Sequence, residues 1–351
     1  MTSSDEVALE KPSKLRIWLA EMRAPFLTAA IVPVILGTCV AWASSGIFLI
    51  DVFLLTLIAG VFIHIGSNIA NDYYDHKSGT DDINVDFVRP FTGGSRMIQR
   101  GWMSPREVFI EAMVFFVLGG GIGIYLAYTR GLEVLILGII GVGSGFFYTA
   151  PPFRFVSRGY GEVFIGLNFG VLMTLGAYFV QTQVLAWEAI YPSIPVAILI
   201  TAVLYINEFP DHDADRDAGK RTIVVRLGRQ RAATGYAILM AFLYLSILVP
   251  ILLTLTSWYT ILGLATFPIA VLATRYALAH YDHPIPLTPA YAGTVANHLF
   301  TGLFLAWSYI IIGLGQEPIF ILVWGIVFLA ISLGFYVMTE RKAKAAAPPQ
   351  E

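Results

Sequence analysis

Long apolar runs constrain the fold of this chain more than any other feature. A helix needs about 20 consecutive apolar residues to cross the hydrocarbon core of a bilayer. Ten runs approach that length: 25–48, 51–71, 107–128, 132–150, 163–185, 189–207, 232–255, 258–281, 291–314 and 318–338. Charged residues make up only 13% of the chain, whereas soluble domains carry about 25%. We therefore predict an all-α, polytopic membrane bundle of nine to ten transmembrane helices.

The two ends of the chain differ from this apolar interior. Residues 1–24 interleave basic and apolar side chains, which is typical of an interfacial amphipathic helix rather than a cleaved signal peptide. Residues 25–340 are predicted to form one transmembrane domain, and 341–351 a disordered tail. The single cysteine, Cys39, excludes an intramolecular disulfide. The net charge of −2 gives no reason to propose a nucleic-acid partner.

Basic residues are distributed unequally between the two sides of the membrane. If the amino terminus is cytoplasmic, every Lys and Arg except Arg130 falls in a cytoplasmic segment. The positive-inside rule then predicts a multi-pass plasma-membrane protein, with the long connections 72–106 and 208–231 in the cytoplasm.

Each of these two connections begins with an acidic cluster. Residues 71–75 read Asn-Asp-Tyr-Tyr-Asp, and residues 207–215 read Asn-Glu-Phe-Pro-Asp-His-Asp-Ala-Asp. Four apolar runs separate the clusters, an even number, so both lie on the same side of the membrane. Carboxylates concentrated at two matched places predict one site built from both halves of the chain.

The spacing within each cluster indicates which side chains face each other. Steps of four residues relate Asn207, Asp211 and Asp215 in the second cluster, and Asn71 and Asp75 in the first. Residues four apart share one face of a helix, so these side chains are predicted to point inward and Asp213 and Asp217 outward. This assignment requires the helix to continue through Pro210, since a kink there would re-aim the carboxylates.

Oxygen-rich clusters of this kind suit a hard cation. Mg²⁺ is typically held by one or two carboxylates together with substrate phosphates. We therefore predict one or two Mg²⁺ ions bridging a diphosphate, with nearby cations neutralising the remaining phosphate oxygens. Those cations are Lys77, Arg89, Lys220 and Arg221. The alternative, ordinary solvated loop charges, does not explain why one spacing occurs twice at equivalent helix ends.

Further motifs lie between and after the clusters. Thr92-Gly93-Gly94-Ser95 is followed by the stretches 148–154, Tyr-Thr-Ala-Pro-Pro-Phe-Arg, and 159–162, Gly-Tyr-Gly-Glu, and the second cluster continues to Gly-Lys-Arg-Thr at 219–222. Together with the acidic clusters, these motifs resemble the intramembrane aromatic prenyltransferases, often called the UbiA superfamily. They are similar in particular to the branch that prenylates 1,4-dihydroxy-2-naphthoate in menaquinone synthesis.

The resemblance implies a helical bundle around a central cavity that is open to lipid, with catalysis on the cytoplasmic side. It implies Mg²⁺-dependent transfer of a polyprenyl group from a diphosphate to an aromatic acceptor through an allylic cation. The implied metal ligands are Asp72, Asp75, Asp211 and Asp215, with Asp81 matching more loosely. The implied substrate-binding residues are Asn71, Asn207, Lys77 and Lys220, to which we add Arg23 and Arg154.

Aromatic residues near the end of the fourth run are further candidates. Tyr148 is predicted to be catalytic, and Phe146, Phe147 and Phe153 offer ring faces that could stabilise an allylic cation. Arg154 is predicted to engage the acceptor carboxylate or the diphosphate, or to anchor the helix at the membrane surface.

Two departures from the family pattern keep other interpretations open. The tenth run, 318–338, exceeds the nine spans usual in the family, and Arg96 follows the Gly-Gly-Ser motif where a smaller residue is expected. The tenth run leaves the position of the carboxyl terminus open. Arg96 leaves the acceptor open, which could instead be homogentisate, 4-hydroxybenzoate, a tetrapyrrole or a lipid. A cation transporter is less consistent with the sequence, because few ionisable residues lie deep in the runs. The glycines at 119–121 and 123 lack the Lys-Ser/Thr of a phosphate loop and indicate close helix packing.

Overall fold

The computed structural model describes residues 12–84 and 86–346, which form helices and connecting segments without a strand. Seven of the helices in the described residues have 18 or more residues. The helices satisfy their own backbone hydrogen bonds, as a backbone in lipid must. They are α1 (Lys14–Glu21), α2 (Thr28–Ser45), α3 (Ile50–Ser78), α4 (Thr80–Ile83), α5 (Pro105–Arg130), α6 (Leu132–Phe146), α7 (Gly161–Ile165), α8 (Met173–Thr182), α9 (Trp187–Asp217), α10 (Ile223–Leu227), α11 (Arg229–Leu252), α12 (Phe267–His280), α13 (Thr288–Gly313) and α14 (Ile319–Ala346).

Each predicted apolar run is helical in the structure. Within the described residues, nine helical stretches are long and apolar enough to cross a membrane. The remaining run corresponds to α6, which has 15 residues. The prediction of an all-helical bundle with nine to ten spans is confirmed.

The carboxyl-terminal helix is longer than the sequence indicated. It continues to Ala346, so residues 341–346, which we placed in a disordered tail, are helical. Residues 347–351 lie outside the described part of the chain.

Helix α9 lies at the centre of the bundle and organises the core. Its buried Leu199, Ile206 and Phe209 pack with Tyr236 of α11 and Tyr291 of α13. Burying such side chains is worth roughly 1.5–3 kcal/mol each in water, and in a bilayer the same contacts provide close packing.

A π-helical segment, Gly166–Leu172, connects α7 to α8. Gly166 and Gly170 lie directly against α9, where an added Cβ would collide with Thr201 and Ala197 respectively. Close approach of the two backbones therefore requires glycine at both positions. Single π turns inside helices are rare and often mark functional regions.

The glycines of α5 do not all have the packing role that the sequence indicated. A Cβ on Gly119 would lie 2.8 Å from Ile63, so this glycine allows α3 and α5 to approach. At Gly120, Gly121 and Gly123 a Cβ would meet nothing within 4 Å. These three glycines leave open space instead of a close contact.

Candidate active site

The carboxyl-terminal ends of α3 and α9 bring the two acidic clusters together. Each helix is followed by a left-handed glycine, Gly79 with φ +79° and Gly219 with φ +78°, a conformation that glycine adopts without a steric penalty. The chain turns back after α9, and the backbone N–H of Lys220 donates to the carbonyl of Asp215 at 2.8 Å. This turn directs the Lys220 side chain toward the first cluster.

Lys220 joins the two clusters electrostatically. Its Nζ atom lies 2.7 Å from Asp75 Oδ1 and 3.4 Å from Asp215 Oδ1, and the residue is buried. Burial alone would lower the pKa of this ammonium group, but the two carboxylates outweigh that effect and raise the pKa above its usual value. Lys220 is therefore a permanent cation between the two halves of the site.

Helix α9 continues through Pro210 to Asp217. Asp215 is consequently buried on the inner side, whereas the side chains of Asp213 and Asp217 are 45% and 63% exposed. Asp213 instead binds Arg229 on the adjacent helix, with Nη1 and Oδ2 3.0 Å apart. The predicted division between inward and outward carboxylates matches this geometry.

The irregular segment after α4 covers the end of α3 and contacts Asp72. The backbone N–H of Ser95 donates to Asp72 Oδ2 at 2.8 Å, and Arg23 Nη1 lies 3.9 Å from Asp72 Oδ1. Gly94 approaches so closely that an added Cβ would lie 2.7 Å from Asp72 Oδ1. The Gly-Gly-Ser motif thus provides a backbone donor and leaves room for the carboxylate.

Asn84 anchors Asp211 and was missed by the sequence analysis. Its Nδ2 donates a hydrogen bond of 2.7 Å to Asp211 Oδ1, although the two residues are 127 positions apart in the sequence. Its backbone carbonyl accepts a hydrogen bond of 3.1 Å from Arg96 Nη1. Arg96, the unexpected arginine after the Gly-Gly-Ser motif, therefore holds this contact in place. In the sequence, only the position of Asn84, three residues after Asp81, could have indicated that Asn84 belongs to the site.

Two neighbouring aspartates in α4 face in different directions. Asp81 is buried, and burial together with the charges of Asp75 and Asp72 raises its pKa to about 8. Asp82 is exposed and contacts Gln99 at 3.5 Å. Of the two, the structure brings only Asp81 into the electrostatic neighbourhood of the acidic clusters.

A polar pocket of about 360 Å³ opens beside Asp75. Three of the predicted basic residues line it, Lys77, Arg154 and Lys220. Arg154 has φ +46°, a left-handed conformation that costs a residue with a side chain roughly 1–2 kcal/mol. The predicted cations Arg89 and Arg221 do not line this pocket, and Arg89 Nη2 instead donates to the carbonyl of Ser95 at 3.0 Å.

The predicted aromatic residues form a chain beside the pocket. Ring centroids are 6.0 Å apart for Tyr74 and Phe146, 5.5 Å for Phe146 and Phe147, and 5.0 Å for Phe147 and Phe153. Burial raises the pKa of Tyr148 well above its usual value. Tyr148 therefore keeps its proton at neutral pH.

Two buried glutamates near Tyr148 were also missed. Glu162 Oε1 accepts a hydrogen bond of 2.7 Å from the backbone N–H of Ile223 and so holds the segment after Lys220. Glu208, on α9, is 5% exposed and acts electrostatically on Tyr148. Both lie in motifs that we quoted, yet the spacing alone did not distinguish them from ordinary surface charges.

The side chains of the site fit Mg²⁺ by their chemistry. Among the described residues, no group of three or more His, Cys, Asp or Glu is already close enough to hold a metal ion. However, Asp72 Oδ1 and Asn207 Oδ1 are buried without a hydrogen-bond partner, and such oxygens call for a donor or a cation. A set of carboxylate and amide oxygens is the type that Mg²⁺ prefers.

Comparison with known families matches residues 30–284 to the UbiA prenyltransferase family. The chain belongs to the UbiA prenyltransferase family. It is therefore an enzyme that transfers a prenyl group, and the prediction of a multi-pass membrane prenyltransferase is confirmed. The transporter alternative is not supported.

Curated relatives cover nearly the whole enzyme. The 2-carboxy-1,4-naphthoquinone phytyltransferase of Synechocystis is 30% identical over 318 residues, which are 90% of this chain and 100% of the relative. The 1,4-dihydroxy-2-naphthoate octaprenyltransferase of Bacillus subtilis is 26% identical over 306 residues, 87% of this chain and 96% of the relative.

Solved structures share the same fold at low sequence identity. A UbiA homologue from Aeropyrum pernix has a TM-score of 0.58 with 16% identity, covering 80% of this chain and 97% of the homologue. A homologue from Archaeoglobus fulgidus, bound to DMAPP and Mg²⁺, has a TM-score of 0.50 with 17% identity, covering 91% of this chain and 99% of the homologue.

Proposed function

We propose that this enzyme transfers a polyprenyl group from a prenyl diphosphate to 1,4-dihydroxy-2-naphthoate, in a Mg²⁺-dependent reaction on the cytoplasmic face of the plasma membrane. The ion bridge from Lys220 to Asp75 and Asp215 carries this proposal, because it joins both acidic clusters beside a polar pocket. The cytoplasmic assignment rests on the distribution of basic residues.

The diphosphate is bound by cations that already share one pocket. Lys77, Arg154 and Lys220 line it from three different segments, and charge-assisted hydrogen bonds to phosphate oxygens are among the stronger ones in proteins. Asn71 Nδ2 donates to Asp75 Oδ2 at 3.0 Å, which orients this carboxylate toward Lys220.

Mg²⁺ would be held by Asp72, Asp75, Asp211 and Asp215, supported by Asn207 and Asp81, and when bound would neutralise charge on the leaving diphosphate. The C1–O bond of the donor breaks, and the electron pair leaves with the diphosphate. Phe146 lies beside Tyr74 of the pocket and Phe147 lies beside Phe146, and their ring faces stabilise the allylic cation. The acceptor ring then attacks the cation and loses a proton.

The acceptor assignment rests on the relatives. Both are named for naphthalene-derived acceptors that carry a carboxyl group. Two arginines at the site, Arg23 beside Asp72 and Arg154 in the pocket, provide cations for such a carboxylate. Homogentisate and 4-hydroxybenzoate also carry carboxylates, so direct comparison of acceptors is required.

The test uses membranes supplied with Mg²⁺, a labelled prenyl diphosphate and a panel of acceptors, with products identified by mass spectrometry. We expect the naphthoate to be prenylated, and Asp72→Ala and Asp211→Ala to abolish product formation at unchanged expression. The matched control is Asp217→Ala, because the Asp217 side chain is 63% exposed and pairs with its neighbour Arg216. Turnover in both site variants would overturn the assigned aspartate roles, and exclusive use of another acceptor would overturn the naphthoate assignment.

A further inference from the structure

A pocket of about 670 Å³ opens between α1, the end of α3 and the start of α5. Its walls include Lys14 and Trp18 of α1, His76 of α3, and Trp102 in the segment before α5. A cavity of this size is within the range of ligand-binding sites. We call it the α1 pocket. Its lining residues differ from those of the polar pocket beside Asp75, so the two are separate sites.

The α1 pocket lies where the helices leave the membrane. Pro105, which lines it, is the first residue of the span α5, and His76 lies in the last turn of α3. On the outer side of α1, Leu15 and Leu19 are 70% and 52% exposed, as expected for an interfacial helix with an apolar face toward lipid. Tryptophans, of which the pocket has two, are enriched at this level of a membrane. The pocket therefore opens toward the lipid headgroups.

Positive charge predominates around the α1 pocket. Lys14 lines it, and the guanidinium carbon of Arg100 lies 4.8 Å from the ring centroid of Trp102 in its wall. The acidic residue of the lining, Glu107, accepts hydrogen bonds from the backbone N–H and the hydroxyl of Ser104, at 2.8 and 2.9 Å. This carboxylate is engaged in the capping box of α5. The pocket as a whole therefore attracts an anion.

An exposed apolar strip on α5 continues from the α1 pocket into the membrane. Ile110 and Val114 follow Glu107 by three and seven residues, so the three side chains share one helix face. Ile110 and Val114 are each 46% exposed. An anionic head in the pocket and a hydrocarbon tail along this strip are the two parts of a phospholipid. A free phosphate would occupy the pocket and leave the strip uncovered.

Helix α1 has few contacts of its own with the bundle. Of its eight residues, Ile17 and Glu21 are buried and the other six are exposed. A helix of this length is too short to be stable without tertiary contacts. A ligand between α1, α3 and α5 adds such contacts. Because Arg23 directly follows this part of the chain and lies 3.9 Å from Asp72, the same ligand also steadies a cation of the active site.

We propose that the α1 pocket binds the headgroup of an anionic phospholipid from the surrounding membrane, and that this lipid holds α1 against α3 and α5. The phosphate lies between Lys14 and Arg100, and an acyl chain follows Ile110 and Val114. Cations at a membrane surface favour anionic headgroups by about fivefold each. The inference concerns a site apart from the donor and the acceptor, so it does not depend on either of their identities.

The experiment compares two double variants of the full-length protein in detergent. Lys14→Gln/Arg100→Gln removes the two cations of the α1 pocket. The matched control, Arg16→Gln/Arg106→Gln, removes as many charges from exposed residues of the same two segments that do not line the pocket. Native mass spectrometry measures the retention of phosphatidylglycerol and of phosphatidylcholine, and the melting temperature is recorded with each lipid and with glycerol 3-phosphate.

We expect the wild type and the control to retain phosphatidylglycerol about tenfold more strongly than phosphatidylcholine, and to melt a few degrees higher in its presence. The pocket variant loses both effects. Its melting temperature in phosphatidylcholine should equal that of the wild type, which would confirm that it is folded.

An equal loss of phosphatidylglycerol in both double variants would overturn the inference, because it would indicate general attraction to a basic surface. Equal retention of the two lipids by the wild type would also overturn it. If glycerol 3-phosphate stabilised the wild type as much as phosphatidylglycerol does, the pocket would be a site for a free phosphate ester and the lipid assignment would be wrong. The two wild-type comparisons decide the inference however the variants fold.

Discussion

Lys220 Nζ and Asp75 Oδ1 are 2.7 Å apart, although the two residues are separated by 145 positions in the sequence. This contact fixes the distance between the two acidic clusters. It also means that a permanent positive charge lies between the two acidic clusters before any metal ion binds.

Replacing Lys220 by methionine removes that charge and keeps most of the side-chain volume. Asp75 and Asp215 then face each other without a cation, and the diphosphate loses one contact. We expect turnover to fall by about 10²-fold, as when a single charge-stabilising donor is removed from other active sites. The control is Arg221→Met, because Arg221 is the adjacent residue and its side chain is exposed. Similar activity in both variants would contradict the bridging role of Lys220.

Asp81 and Asp82 offer a neighbouring pair with opposite environments. Asp81→Asn changes a buried carboxylate next to the acidic clusters, whereas Asp82→Asn changes an exposed one. We expect Asp81→Asn to raise the Mg²⁺ concentration required for half-maximal turnover, and Asp82→Asn to leave it unchanged. A titration of turnover against Mg²⁺ measures both. Equal values would show that Asp81 takes no part in metal binding.

Alanine substitutions at Gly94 and Gly101 distinguish a steric effect on Asp72 from the effect of backbone strain. Both have left-handed φ angles, +64° and +65°, so alanine strains the backbone equally at either position. Only at Gly94 would the added Cβ also meet Asp72, at 2.7 Å from Oδ1. We predict that Gly94→Ala lowers turnover at least tenfold more than Gly101→Ala, at similar thermal stability. Parallel losses in both variants would instead indicate strain alone.

We predict that the buried Glu21 makes the stability of the folded protein depend on pH. This residue of α1 is 0% exposed, and burial together with the charge of Asp72 raises its pKa from 4.5 to about 9. The folded state therefore favours the protonated form, and the stability that this form contributes is lost as the pH rises from about 4.5 toward 9.

The Glu21→Gln variant stays neutral throughout that pH range. We expect its melting temperature to rise relative to the wild type with increasing pH, by a few degrees at pH 8. The exposed Glu133 provides the control, since the difference between Glu133→Gln and the wild type should not change with pH. A constant difference for Glu21→Gln as well would show that Glu21 is ionised in the folded protein at all these pH values.

The sequence predicts the fold well because the bilayer imposes a length on every span. It also predicts the inner face of α9, since the spacing of Asn207, Asp211 and Asp215 is helical and α9 continues through Pro210. In both cases a local, periodic rule determines the result.

The rest of the site follows no such rule. The hydrogen bond from Asn84 to Asp211 and the position of Ser95 over Asp72 depend on an irregular segment, in which the spacing of residues does not determine where a side chain points. The difference between Asp81 and Asp82 depends on the same segment. The open glycines of α5 were assigned to close packing because a glycine that allows contact and a glycine that leaves space look identical in a sequence.

The short helix before the first span has a practical consequence. Ile17 of α1 is 2% exposed and packs against Ile65 and Ile69 of α3, and Arg23 just after α1 lies beside Asp72. A shortened protein that starts at the first membrane span would keep all predicted spans and still lose a cation from its site. Affinity tags and truncations should therefore leave the chain intact from Lys14 onward, even though that stretch lies outside the spans.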